Sequence, residues 1–494
     1  MNRPSVTPLL QGLCYPLPVS TGASGGGIRK APGEGETHMK KFLVIVLAFV
    51  LFCSESLFAF SGANAESAST QAAPQADITI AAREDGTGEI QRIELETADY
   101  TVPSEVSGWK VTAIGSSAFY KCESLVTLTL PDTVTTIDYG AFSNCYNLET
   151  VNLPDSLTTI GDFAFHTCSS LQTLNIPNSV TSIGHGAFTG CNRLTDIRIS
   201  PDHPVYAFGN NGLIDKKNYT YMSYIGPDVA EYEVPRGIKK IGDDAFTFRE
   251  LESIVVPEGV TAIGDRAFCF MYNLEKVTLP DSVTSIGYKA FYSAQDLESI
   301  RIPAAVTEIA GGNFAWCKTL KTIDVDPANP VFEMQDNMLI NKKEHKIVFH
   351  MNKDTGTFEV PEGIEIIGVC AFENSDQLET IILPDTVKEI GEDAFACCSS
   401  LTTLRLPKDL KTIERGMIRD SNSIKTITLP EGVETIKSLA INFCENLEEI
   451  IIPSTVTDIG INAFANCPKL VCKVPEGSKA QQYCEEYNIK YVIQ

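Results

Sequence analysis

The sequence predicts a repeat solenoid with a parallel β-sheet, a second short-strand face and short helical or 3-10 turns between them. Two observations carry this. An Ile recurs at positions 114, 137, 160 and 183, again at 241, 263, 286 and 309, and again at 367, 390, 413, 436 and 459, with a step of 23 residues almost throughout. A Phe follows five residues later in eleven of these turns, from Phe119 to Phe464, broken only by Ile418 and Ile441. The apolar positions therefore return once per turn and do not lie on one helical face. Each unit has a hydrophobic side that it cannot bury alone and must stack on its neighbours.

One turn, Ile160 to Val180, shows what each column does. Leu171, Leu174 and Ile176 fit a short strand with alternating inward and outward residues, and its equivalents stack into a parallel sheet. Pro177 ends that strand because it has no N–H to give to the ladder. Val180 and Ile183 form a second short extended segment, and Ala164-Phe165 pack at the far corner as a buried aromatic spine. The Gly that usually follows the Ile is read as a sharp turn at positive φ, although Asp138, Ala310, Glu414 and Lys437 stand there in four turns.

The phrase Ile-Gly-x-x-Ala-Phe-x-x-Cys-x-x-Leu-x-x-Leu-x-Leu-Pro, written through Ile160 to Pro177, resembles the BspA-like leucine-rich repeats of bacterial surface proteins. The resemblance covers about Val102 to Pro475 and implies a leucine-rich-repeat horseshoe or rod that binds proteins or adheres to cells. The expected organisation is an N-terminal extension at 1–38, a signal peptide at 39–65, a linker and cap at 66–113, the solenoid at 114–475 and a C-terminal cap at 476–494.

The formal charge of -24 excludes a nucleic-acid partner, which would require a basic face to neutralise phosphates. The apolar run Phe42 to Phe60 follows Met39-Lys40-Lys41 and precedes Ala63-Asn64-Ala65, the pattern of a cleaved secretory leader. The mature chain is accordingly expected to be secreted or held at the cell surface without an integral membrane span. Translation is expected to begin at Met39.

Two steps of the Ile column are 58 residues long and contain enlarged turns at 200–234 and 326–360. A shift of 126 residues superimposes Pro201 on Pro327, Leu213 on Leu339 and Lys216-Lys217 on Lys342-Lys343 without a gap, which points to duplication. The first enlarged turn carries Tyr206, Tyr219, Tyr221, Tyr224 and Tyr232. Such aromatics either pack a hairpin onto the solenoid or anchor a ligand from a protruding loop.

Catalytic, cofactor and metal sites are not expected. No His-Glu-x-x-His, Gly-x-Ser-x-Gly or phosphate-binding Gly-Lys phrase occurs. The cysteine column Cys122, Cys145, Cys168, Cys191, Cys317, Cys398, Cys444 and Cys467 reads as a confined slot for small residues, since Ala294, Ser375 and Ser421 share it. Cys397-Cys398 and Cys472/Cys484 stay open as local pairs. The outward positions of the long strand are the expected partner face, with Arg198, Val255, Arg301, Ile382, Arg405 and Ile451 as candidates for an extracellular or cell-surface protein. Tyr219 and Tyr221 are the candidates if the ligand is a glycan.

Overall fold

In a computed structural model, residues 76–494 are described, and the extension and leader expected at 1–65 lie outside them. The chain divides between Pro204 and Val205 into two compact units, each built from stacked turns. Among the described residues, no helix is long and apolar enough to cross a membrane.

In the first unit the short strands Trp109–Ile114, Thr136–Ile137, Thr159–Ile160 and Ser182–Ile183 pair in parallel, Ile on Ile. Within the stretch read as linker and cap, Ala76–Ala82 and Gly88–Leu95 form an antiparallel hairpin. Its second strand sets Ile90 beside Ile114, so the Ile column begins one turn earlier than its Gly-containing repeats suggest. The long strands Asp99–Thr101, Thr127–Thr129 and Thr150–Asn152 form one parallel sheet, and Thr173–Ile176 pairs with Asp196–Ile199.

The second unit repeats the plan. Glu231–Glu233, Ser253–Val255, Lys276–Thr278, Ser299–Ile302 and Thr322–Val325 make a five-stranded parallel sheet. After the second enlarged turn, Gly356–Glu359, Leu378–Ile382 and Thr403–Arg405 make another. The stack ends in Val471–Val474 and Lys490–Ile493, with the helix Lys479–Glu486 between them.

A third hydrogen-bonded ladder runs along the corner. Phe163, Phe165 and Thr167 donate their N–H groups to the carbonyls of His185, Ala187 and Thr189 at 2.9, 2.9 and 2.7 Å, and most turns repeat this triplet in whole or in part. The segment expected to be a short helical or 3-10 turn is a series of separate i,i+3 turns, Ala118 to Gly115, Tyr120 to Ser117 and Cys122 to Phe119, that do not run on into a helix. Where Ile418 and Ile441 replace Phe, the corner becomes a true parallel strand pair, in keeping with the β preference of a branched side chain.

Positive φ belongs to this corner and not to the glycine column. Phe163 and Thr167 lie at φ 54° and 58°, and Lys289 and Ser293 at 53° and 59°. Left-handed backbone at such residues costs roughly 1–2 kcal/mol each, and the ladder and the Phe stack beside it offset that cost. The expectation for the glycines is corrected. Gly161, Gly184 and Gly264 are absent from the positive-φ set, as are Asp138, Ala310, Glu414 and Lys437. These glycines are needed for close approach: a Cβ on Gly184 would sit 2.3 Å from the Asp162 amide nitrogen, and one on Gly161 2.7 Å from the Asp138 carbonyl carbon.

Each enlarged turn is a three-stranded antiparallel meander. The first is Tyr206–Gly209, Gly212–Asp215 and Thr220–Tyr224, and the second is Phe332–Gln335, Met338–Asn341 and Lys346–His350. Asn210-Asn211 and Asp336-Asn337 supply the two positive-φ residues of their tight hairpin turns. The third strand rejoins the stack, placing Tyr221 beside Ile241 and Ile347 beside Ile367. Tyr224 and His350 then donate their N–H groups to Ala245 and Ala371, as the Phe column does elsewhere. His350 lies 4.8 Å above Phe372, stacked at 19°. Its Nε2 donates to Asp354 at 2.9 Å while Nδ1 accepts the Asn352 N–H at 3.3 Å, so this imidazole is neutral.

Two predictions follow from the stack. Gly184→Ala should lower the denaturation midpoint, with a loss of about 1–3 kcal/mol from overpacking. Gly209→Ala, whose Cβ meets nothing within 4 Å, should leave it unchanged in the same urea titration. Burial holds the His350 pKa below its ordinary 6.5, outweighing Asp354. The unfolded chain therefore binds the proton more readily, and the contribution of His350 to stability is complete above about pH 6.5 and falls as pH drops below it. His350→Phe should flatten the decline of melting temperature with acidification. An unchanged slope would exclude His350 as its source. A slope from His166, which burial pushes down to about 4, should remain.

Candidate interaction surface

The outward face of the long-strand sheets is set by what lies beneath it. In the second unit Tyr232, Ile254, Val277, Ile300 and Ile323 point inward from the five strands, and all are buried. Their neighbours on either side therefore point out, in two columns. Val255 is 40% exposed, two strands away from Arg301. Arg301 spans two carboxylates, Asp281 at 2.6 Å and Asp326 at 2.7 Å, and these hydrogen bonds raise its pKa against a small desolvation. Its guanidinium is thus fixed in place while remaining partly exposed.

On the next sheet Ile382 is half-buried and pairs directly with Arg405, which is exposed and lies 3.9 Å from Asp385. Ile451 is half-buried on a further sheet, between Thr428 and Lys473. Arg198, in the first unit, is exposed and bonded to Asp196 at 3.2 Å. Within the second unit the structure thus places Val255 and Arg301 on one sheet, Ile382 beside Arg405 on another and Ile451 on a third.

The two tyrosines separate. Tyr219 stands at a hairpin turn, 58% exposed. Tyr221 is 0% exposed, which corrects its assignment as a ligand contact. It occupies the Ile column, stacks on Phe246 at 5.2 Å and bonds to the Tyr232 hydroxyl at 2.9 Å. Burial raises the Tyr221 pKa well above its usual value, so it stays protonated and structural.

The cysteine column has a structural role. Cys145, Cys168 and Cys398 donate their thiols to the carbonyls of Phe119, Phe142 and Phe372 at 3.0, 3.2 and 3.2 Å, and Ser421 does the same to Phe395 at 3.0 Å. The slot is small and apolar enough for Ala294, and where Cys or Ser fills it the side chain donates to the preceding turn; burial pushes the Cys398 thiol up to about 12. Among the described residues no group of three His, Cys, Asp or Glu side chains could hold a metal ion.

Sequence reasoning passed over a cluster at the corner of the second unit. The buried Glu373 carboxylate accepts from Tyr292 at 3.1 Å, Trp316 Nε1 at 3.0 Å and Arg419 at 3.4 Å, all through Oε1. Arg419 also holds Asp393 and Asp420, each at 3.1 Å. Burial opposes the charge of nearby Lys289, but Cys370, Glu373, Tyr288 and Asp393 hold its pKa above the usual value. Tyr292, Glu373 and Arg419 share the sixth position after their Ile, which was the available signal. These residues join turns on either side of the second meander, so the cluster clamps the stack where the insertion interrupts it. A groove of about 440 Å³ lies between the short-strand face and the same meander. Its charges are largely used internally: Lys240 pairs with Asp243, Lys346 with Glu344, and Asp265 accepts the Tyr288 amide.

Comparison with known proteins places these features in a family. The pattern described as a BspA type leucine rich repeat region matches residues 106–215, 239–355 and 345–471. No curated protein matches the chain. Among solved structures, a leucine rich cell surface protein of Faecalibacterium prausnitzii is 29% identical, covering 83% of this chain and 97% of its own, with a TM-score of 0.46. The pneumococcal vaccine antigen PcpA is 18% identical over 85% of this chain and 98% of its own, with a TM-score of 0.45. A leucine-rich repeat protein of Bacteroides ovatus is 23% identical over 88% of this chain and 100% of its own, with a TM-score of 0.32. The chain belongs to the BspA-type leucine-rich repeat family, whose repeats match well over half of its length.

Proposed function

We propose that this protein is an exported, non-enzymatic binding solenoid that engages an extracellular or cell-surface protein through the outward face of its long-strand sheets. The observation that carries this reading is an outward apolar residue on the same sheet as an arginine, at Val255 with Arg301, which two carboxylates hold, and at Ile382, which pairs directly with Arg405. Arginine in a fixed orientation loses little freedom on binding, and arginines beside apolar contacts are common energetic centres of protein interfaces. Membership of a repeat family supports it too, because stacked repeats offer extended surfaces of this kind. The leader-like segment at 39–65 supports export.

A glycan reading is favoured by one observation, the exposed Tyr219 ring at a hairpin turn. The two readings separate in a binding experiment at physiological salt against extracellular-matrix proteins and glycans. Val255→Asp with Arg301→Glu should weaken a matrix-protein complex by at least about tenfold, the scale of a lost hot spot. Tyr219→Ala should leave it intact. The reverse pattern on a glycan would replace the first reading with the second.

A further inference from the structure

Five of the described cysteines lie outside the column, and two of these, Cys472 and Cys484, share the C-terminal end of the stack. The column thiols each face a carbonyl of the preceding turn, as Cys444 does toward Ile418 at 3.6 Å and Cys467 toward Ile441 at 3.7 Å. Cys472 and Cys484 stand outside that column. Cys472 sits in the middle of Val471–Val474, paired with Ile450, at an inward position that is aliphatic in most turns. Cys484 lies on the buried side of the helix Lys479–Glu486 with Ala480 and Tyr483. Both thiols are buried in the same apolar cluster where the helix packs on the strand, and each is a side-chain neighbour of the other.

The helix that carries Cys484 closes the stack. Tyr483 meets Phe464 edge-on at 5.8 Å, and its hydroxyl accepts the Ala463 N–H at 2.9 Å. Ser478 caps the helix by accepting the Gln481 amide, and the chain then returns as Lys490–Ile493 alongside Val471–Val474. The end of a stack is its weak point, since a terminal turn has one neighbour to lean on.

We propose that Cys472 and Cys484 form a disulfide that staples the C-terminal helix to the strand Val471–Val474 near the end of the stack. The oxidant is a small-molecule or protein disulfide met as the chain folds outside the reducing cytosol. The thiolate of Cys484 attacks one sulfur of that disulfide, forms a mixed disulfide and releases one thiolate. Cys472 loses its proton and displaces the second thiolate, so the oxidant gains two electrons and two protons and the protein gains one S–S bond. Because both sulfurs are covered in the folded protein, the exchange takes place before the helix has docked. The bond closes a short loop and removes freedom from the unfolded chain.

The full chain, refolded with oxidised and reduced glutathione, alkylated and digested with trypsin, tests this. The peptide Leu470–Lys473 should be recovered joined to Ala480–Lys490, lighter than their sum by two hydrogen atoms. Amide exchange across Val471–Val474 should slow by at least about tenfold relative to the reduced protein. Cys472→Val, which restores an aliphatic residue to this position, should remove the oxidant-dependent slowing without changing exchange in the reduced state. Recovery of both peptides singly and alkylated, or a bond from either cysteine to Cys467, would overturn the proposal. So would equal slowing in Cys472→Val.

Discussion

Everything in this protein depends on one turn bonding to the next along three sides at once. The short strands, the long strands and the corner each send amide protons to a neighbouring turn, as at Gly161 to Ile137, Leu130 to Asn152 and Phe165 to Ala187. A turn taken alone would leave these groups unpaired and its Phe uncovered, so no turn is stable by itself. Stacking on three sides fixes the length of the turn and aligns like residues. It also explains why Phe142 and Phe165 lie face to face at 5.1 Å, and Phe268 and Phe291 at 5.2 Å.

The same constraint decides where the chain can be enlarged. An insertion survives if its last strand restores the columns of the turn it interrupts. Tyr221 and Ile347 stand in for the column Ile, and Tyr224 and His350 for the column Phe, so the meanders project while the ladders continue. The corner around the second meander needs reinforcement, and Glu373 supplies it by drawing Tyr292 and Trp316 from one side and Arg419 from the other. A carboxylate buried in this way is retained through its hydrogen bonds, since desolvation alone would expel it.

How far the sequence reveals this depends on whether a residue's role repeats. The Ile, Leu and Phe columns recur in turn after turn, and their spacing was enough to read the solenoid, the strands and the buried spine. Glycine gave a misleading signal because two different needs select it: left-handed backbone and the absence of a Cβ. The structure assigns Gly184 to the second. Tyr221 was hidden because it precedes Ile241 by 20 residues instead of 23, which takes it out of the visible period. The hairpin Ala76–Leu95 was illegible for a similar reason: it supplies Ile90 to the ladder with no Gly or Phe to announce it.

The partner face is the hardest part to read, and the reason is physical. Inward columns are uniform because stacking selects them, whereas outward positions such as Ser253, Lys276, Ser299 and Thr322 meet only solvent and one another. Residues that solvent alone selects, mostly small or polar there, carry no information about a ligand. Information resides in the departures, where an apolar residue stays exposed or a charged one is oriented at some cost in freedom. Val255 and Arg301 are both of that kind: stacking does not require the first to be apolar, and two carboxylates hold the second in one direction. A surface tuned by selection for a partner, on a scaffold tuned by stacking, would differ from the scaffold's own period at positions like these.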